Sequence, residues 1–253
     1  MSAAVLRVID IMWERYDEPL TLSELADEAL FSRFYFSRVF RGETGTSPGR
    51  FLTAVRLFRA KNLLLETSLS VTDISYLVGY NSPGTFSSRF TLNVGMSPAR
   101  YRHQARAGFL QPPWTPPRAK ASSPVEFTAQ VPPIGVPTRS YAVVFPSTFL
   151  SAPVGCLSFG ESGRYRLPAV PDGDWTIRAV TVATASLAKP WQRRPLLVSD
   201  PVAVTVRADG VSPLVRLRLR QPSSTDLPVL LAIPELDNLR MPAWDVDRPA
   251  SAS

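Results

Sequence analysis

The stretch FYFSRVFRGETGTSPGRF, residues 34–51, returns fifty positions later as GTFSSRFTLNVGMSPARY, residues 84–101. Phe36/Phe86, Ser37/Ser87, Phe40/Phe90, Gly45/Gly95, Ser47/Ser97, Pro48/Pro98 and Arg50/Arg100 are identical, and Phe51/Tyr101 is an aromatic echo. Self-similarity over this length marks a supersecondary unit used as a pair. Within each copy the two repeated phenylalanines, Phe36 and Phe40 or Phe86 and Phe90, stand four residues apart, the spacing of one helix face. Each copy then closes on Gly-x-Ser-Pro, with serine set to cap and proline set to open the next helix.

Upstream of each copy lies a matching shorter helix. Thr21-Leu22-Ser23-Glu24 has the spacing of a capping box, and Ser70-Val71-Thr72-Asp73 repeats it at an offset nearer 49. Leu25 and Ala26 are expected to face inward in the first unit, and Ile74, Leu77 and Val78 in the second. Ser32 is placed to cap a helix from Arg33 to about Gly42, while Gly79-Tyr80-Asn81-Ser82 supplies the second turn before a helix from about Pro83 to Asn93. Phe36, Val39, Phe40, Phe86 and Phe90 are read as core. Before the pair, Val5, Val8, Ile9, Met12 and Tyr16 form one apolar helical stripe. Between the copies, Phe51 to Glu66 contains no proline or glycine and predicts a connecting helix. Two short helices with a tight turn, used twice in a basic chain, is the sequence form of a helix-turn-helix reader of the major groove.

Leu20 to Arg102 closely resembles the paired helix-turn-helix domain of AraC/XylS-type transcription regulators. The carrying residues are LSELA (22–26), FSRVF (36–40), ETGTS (43–47), Val55 to Leu65, VTDISYLVGY (71–80), Phe86 to Phe90 and GMSPARY (95–101). The resemblance implies two recognition helices in successive major grooves of double-stranded DNA. It makes Phe34, Ser37 and Arg38 base-contacting residues of the first helix, and Pro83, Gly84, Thr85, Ser87 and Ser88 those of the second. Arg33, Arg41 and Arg89 are placed for phosphates. Arg38 is the leading candidate, since a guanidinium can address guanine O6 and N7 together. The second helix departs from the commonest pattern: Ser88 stands where an arginine is frequent, Arg89 comes one place later, and Thr91-Leu92-Asn93 lacks basic residues. The first helix is therefore expected to dominate specificity. RNA polymerase is a further partner implied; a small-molecule effector, or a second copy of the chain through the C-terminal half, is left open.

Composition changes abruptly near residue 108. Of the 25 prolines only Pro19, Pro48, Pro83 and Pro98 precede it. The organisation read from this is a helix-turn-helix domain over residues 1–107, a Pro-rich linker over 108–124, an all-β domain over 125–221 and a Pro-rich tail over 222–253. The fold class is thus multidomain: an all-α tandem helix-turn-helix domain of about seven helices, followed by an all-β sandwich. Residues 125–131, 163–167, 175–182, 202–207 and 214–219 alternate with the period of strands, and 171–174 is a turn signal. About seven antiparallel strands are expected. Arg216, Arg218 and Arg220 fall on one exposed face. The run GRYRLPAVPDGDWTIRAV, 163–180, resembles the hairpin of prealbumin-like or carboxypeptidase-regulatory-like sandwiches, which implies a fold and no activity. Pro242 to Ser253 is expected to be disordered.

The net charge is +7 and the pI about 10.0, which favours an anionic partner. One cysteine excludes an internal disulfide, and no export leader or membrane span is evident, so the chain is expected in the cytoplasm on the nucleoid. No catalytic residue, metal ligand set or cofactor site emerges, and the chain is not expected to be an enzyme. His103 stands alone on the last helix. Asp172, Asp174, Asp200 and Asp209 are read as turn residues, Trp175 as core, and Trp191 as partly exposed. Arg193 and Arg194, like the 216/218/220 stripe, are read as a solvated face. Two other readings remain: a DNA-anchored adaptor whose sandwich binds a ligand or protein, and an alkyl-acceptor repair regulator using Cys156, which lacks surrounding cysteines or histidine.

Overall fold

Seven helices run through the described part of the N-terminal half: α1 (Ala3–Glu14), α2 (Leu22–Glu28), α3 (Arg33–Thr44), α4 (Pro48–Glu66), α5 (Val71–Leu77), α6 (Pro83–Val94) and α7 (Pro98–Ala107). They belong to a computed structural model that describes residues 2–107, 122–146, 154–183, 195–207 and 214–230. Residues 108–121 of the expected linker, Trp191, Arg193, Arg194, Asp209 and the tail beyond 230 lie outside these residues, while the expected linker's last three, 122–124, already belong to a strand. The chain divides into two compact units, one helical and one built of strands.

Each helix begins where its capping chemistry dictates. The Glu24 amide donates to Thr21 Oγ1 at 3.2 Å and the Thr21 amide to Glu24 Oε2 at 2.7 Å, a closed capping box at the start of α2. Ser70 and Asp73 repeat it on α5 at 3.0 and 3.2 Å. Ser32 accepts from the Tyr35 amide at 3.4 Å, and Ser82 from the Thr85 amide at 3.3 Å. The aromatic cores also repeat. Phe36, Phe40 and Phe51 are spaced 5.5 and 5.6 Å between ring centroids, and Phe86, Phe90 and Tyr101 both times 5.7 Å. All six are fully buried.

One expectation on α5 is corrected. Leu77 is 49% exposed, and Ser75 is buried instead. At 100° per residue the inward face centres on Ile74, Ser75 and Val78, which leaves Leu77 roughly 100° away around the helix. Ser75 tolerates burial because its hydroxyl donates to the Thr72 carbonyl at 2.7 Å. Val39 is half-buried and packs against the same core, which Phe36 and Phe40 enter fully.

Helix α4 joins the two copies and locks them. Arg56 donates through Nε to the Tyr16 carbonyl at 2.6 Å and through Nη2 to the Glu18 carbonyl at 2.7 Å, while lying 5.9 Å from the Tyr80 ring centroid. One turn on, the Arg59 guanidinium sits over Trp13 and Tyr16 at 5.4 and 5.2 Å. The second turn presses against the same loop: a Cβ at Gly79 would stand 2.7 Å from the Asp17 carbonyl oxygen. The helical unit also takes in Ser223–Leu230, the described part of the expected tail. Leu227 packs there against the cluster of Val5, Val8, Ile9, Met12, Phe36 and Phe40.

The second unit contains β1 (Ser122–Gln130), β2 (Thr138–Pro146), β3 (Gly155–Phe159), β4 (Gly163–Pro171), β5 (Gly173–Ala183), β6 (Leu197–Ser199), β7 (Val202–Val206) and β8 (Val215–Arg220). They pair in the order β3-β2-β5-β6-β8-β1-β4, with β7 also on β5. Alternation sends Val125, Phe127 and Ala129 of β1, and Val215, Leu217 and Leu219 of β8, into one core to which every strand contributes. The β class is as expected, but the pairing is not wholly antiparallel. The strand that opens the unit and the strand that closes it, β1 and β8, run parallel, with Phe127 opposite Val215 and Gln130 opposite Arg218. Trp175, expected in the core, is half-buried at its margin and donates from Nε1 to the Pro171 carbonyl at 2.6 Å. Among the described residues no helix is long and apolar enough to cross a membrane.

Candidate nucleic-acid interface

Helices α3 and α6 each bury one face through their phenylalanine pair and leave the other to solvent. On α3 the outer stripe is Arg33, Phe34, Ser37, Arg38 and Arg41, at the i, i+1, i+4, i+5, i+8 spacing of one face. Phe34 is 92% exposed, Arg33, Arg38 and Arg41 are exposed, and Ser37 is half-buried beside the core. The structure thus brings all five first-helix candidates onto one surface.

Arg38 does not extend freely from that surface. Its guanidinium lies 5.3 Å from the ring centroid of Tyr35, which in turn meets Phe31 edge-on at 4.8 Å. Such a stack restricts a long side chain to fewer rotamers and presents its fork in one direction. Tyr35 was not among the expected site residues, although its place three residues before Arg38 on a helix makes the contact legible in retrospect.

On α6 the equivalent stripe is Pro83, Gly84, Ser87, Ser88 and Thr91, with Thr85 exposed alongside. The backbone geometry repeats and the chemistry does not. Three arginines on α3 have no cationic counterpart in that stripe. Arg89 takes the register of half-buried Val39 rather than that of Arg38, so it stands to one side of the α6 stripe. Burial pushes the Tyr80 hydroxyl up, opposed by the charges of Arg89 and Arg56. The α6 face therefore offers hydroxyls and backbone, short donors and acceptors that need close approach.

No group of three or more metal-ligating side chains occurs among the described residues. His103 is exposed on α7. Cys156 is half-buried on β3, and burial pushes its thiol up to about 12, the opposite of an activated nucleophile. This argues against the alkyl-acceptor reading. Two of the aspartates bind across strands rather than to their own turns: Asp174 accepts from the Thr205 hydroxyl at 2.7 Å, and Asp200 pairs with Arg220 at 2.6 Å.

Residues 25–104 match a family model described as "Helix-turn-helix domain". The chain is similar to the lactose operon transcription activator of Staphylococcus xylosus, with 32% identity over 99 residues, 39% of this chain and 36% of that protein. It is also similar to the HTH-type transcriptional activator RhaS of Yersinia pestis, with 34% identity over 98 residues, 39% of this chain and 36% of the relative. The chain thus spans about a third of the length of these curated relatives. Among solved structures, the DNA-binding domain of AdpA in complex with a target DNA aligns with 33% identity and a TM-score of 0.41, covering 42% of this chain and 96% of that one.

Proposed function

We propose, from the premise that residues 25–104 are a helix-turn-helix domain of the AraC type, that this chain is a sequence-specific DNA-binding transcription regulator. It places α3 and α6 in two successive major grooves. The observation that carries this reading is the pair of matched helices whose outward stripes face away from the phenylalanine cores, one of them bearing Arg33, Arg38 and Arg41 around the exposed Phe34. Arg38 and Ser37 read bases, Phe34 packs on a thymine methyl, and Arg33 and Arg41 hold phosphates. On α6, Pro83, Gly84, Thr85, Ser87 and Ser88 make the shorter contacts and Arg89 reaches a phosphate beside the groove.

The α3 half-site carries most of the specificity, because a bidentate arginine contributes roughly 1 to 3 kcal/mol of discrimination and hydroxyls contribute less. RNA polymerase is the partner through which bound protein acts. Activation is the proposed sign, since both curated relatives above are named activators. The β unit serves an effector or a second copy of the chain.

The test is a binding selection with random duplexes followed by affinity measurements on the winner. A motif spanning two groove-widths, relaxed at one base pair by Arg38→Ala, is the expected result. No enriched motif, or an Arg38→Ala protein that discriminates like wild type, would refute the reading.

A further inference from the structure

Strand β1 lies between β4 and β8, antiparallel to the first and parallel to the second. The register sets Arg166 beside Glu126, Arg164 and Arg216 on either side of Thr128, and Arg218 beside Gln130. The alternate residues Val125, Phe127, Ala129, Leu167, Val215 and Leu217 enter the core, so these partners share the outward face. Arg164, Arg166, Arg216 and Arg218 are exposed there, and Arg220 continues the row on β8. Residues far apart in sequence thus build one arginine surface.

Five guanidiniums on this face are matched by two carboxylates, Glu126 bound to Arg164 and Asp200 bound to Arg220. Arg216 and Arg218 form no ion pair among the described residues. Ordinary solvated faces mix both signs. Charged side chains also protect sheet edges, which would account for β4 but not for β8, whose neighbours are β6 and β1. Same-face residues on a strand stand about 6.6 Å apart and adjacent strands about 4.8 Å, so the surface measures roughly 13 Å by 10 Å. Some 13 Å of duplex presents about eight phosphates. Every cation is arginine, whose planar fork fits phosphate oxygens in pairs.

We propose that the β4-β1-β8 face is a second DNA-binding surface, which holds the phosphate backbone of duplex DNA without reading its sequence. The proposal rests on the helical unit being a DNA reader: a chain tethered to duplex through one unit exposes the other to a high effective concentration of phosphate.

The experiment uses the full chain and the selected site embedded in long flanking duplex, with affinity measured across a salt titration. Arg216→Gln/Arg218→Gln is compared with Arg139→Gln/Arg207→Gln, a pair on β2 and just after β7 of the same unit that removes equal charge. Thermal unfolding of each variant checks that the fold is kept. The expected result is a fall of about 1.8 in the slope of log K against log salt for the first pair alone, about 0.9 for each phosphate no longer neutralised, with base discrimination unchanged. Equal slopes for wild type and the Arg216/Arg218 variant would overturn the proposal, as would an equal fall in the control pair, or an effect confined to single-stranded RNA with duplex binding intact. Failure of the reader itself shows separately, as an Arg38→Ala protein with unaltered base discrimination.

Discussion

At the scale of single residues, Tyr35 and Cys156 carry the clearest consequences. Tyr35 supports the Arg38 guanidinium from below, and an exposed cation–π contact is worth about 0.5 to 1 kcal/mol. Tyr35→Leu is expected to lower discrimination at the base pair assigned to Arg38 in the proposed function by about that amount, a two- to fivefold loss, whereas Tyr35→Phe keeps most of it. Affinities for the selected site and its single-base variant, for both proteins and for each combined with Arg38→Ala, check this. Cys156 leads to the opposite kind of statement. A thiol raised to about 12 stays neutral through the alkaline range, so iodoacetamide at pH 8 should leave the native protein unlabelled and modify it only on unfolding, as followed by intact mass. The apolar run around Cys156 points the same way in the sequence. Tyr35 was not, because periodicity marks which residues are buried and says little about what exposed ones lie against.

At the scale of elements, the two helix-turn-helix turns solve one backbone problem with different residues. Leu30 has φ 57° and Gly79 φ 81°, both left-handed, at equivalent places before α3 and α6. The left-handed conformation costs an ordinary side chain about 1 to 2 kcal/mol, and Leu30 recovers little of it, being 84% exposed. Leu30→Gly is therefore expected to stabilise the protein by about 0.5 kcal/mol after the entropy of glycine is set against the relieved strain. Gly79→Ala is expected to destabilise it by about 2 kcal/mol or more, since strain adds to the approach of the Asp17 carbonyl. Urea unfolding of both variants reads the two signs. The second turn could be seen in the sequence because glycine announces it. The first could not, because nothing in leucine does. Capping boxes, by contrast, are local chemistry, and both at Thr21 and Ser70 stand where their spacing put them.

At the scale of the whole molecule, sequence and structure diverge where pairings span long separations. The parallel pairing of β1 with β8 joins residues nearly ninety apart, and no local pattern encodes it; alternation gave the row of Arg216, Arg218 and Arg220, but its union with Arg164 and Arg166 follows from that pairing and was hidden. In the helical unit the corresponding long-range element is Arg56, whose two charged hydrogen bonds tie the connecting helix to the loop at Tyr16 and Glu18. Arg56→Met should cost about 2 to 3 kcal/mol in unfolding free energy. It should also weaken binding to the two-groove site more than to a duplex carrying the α3 half-site alone, because the spacing of the copies is loosened. Titration of both duplexes with both proteins checks it. The docking of Leu227 into the first helical core has a consequence in time. Helices α1 to α4 leave the ribosome early, yet a side chain of their core is made over a hundred residues after α7 ends. At roughly 5 to 20 residues per second that delay is on the order of ten seconds, during which the nascent first copy keeps an apolar patch bare. Every β strand must be threaded out before the helical domain can be finished by a codon translated after them all.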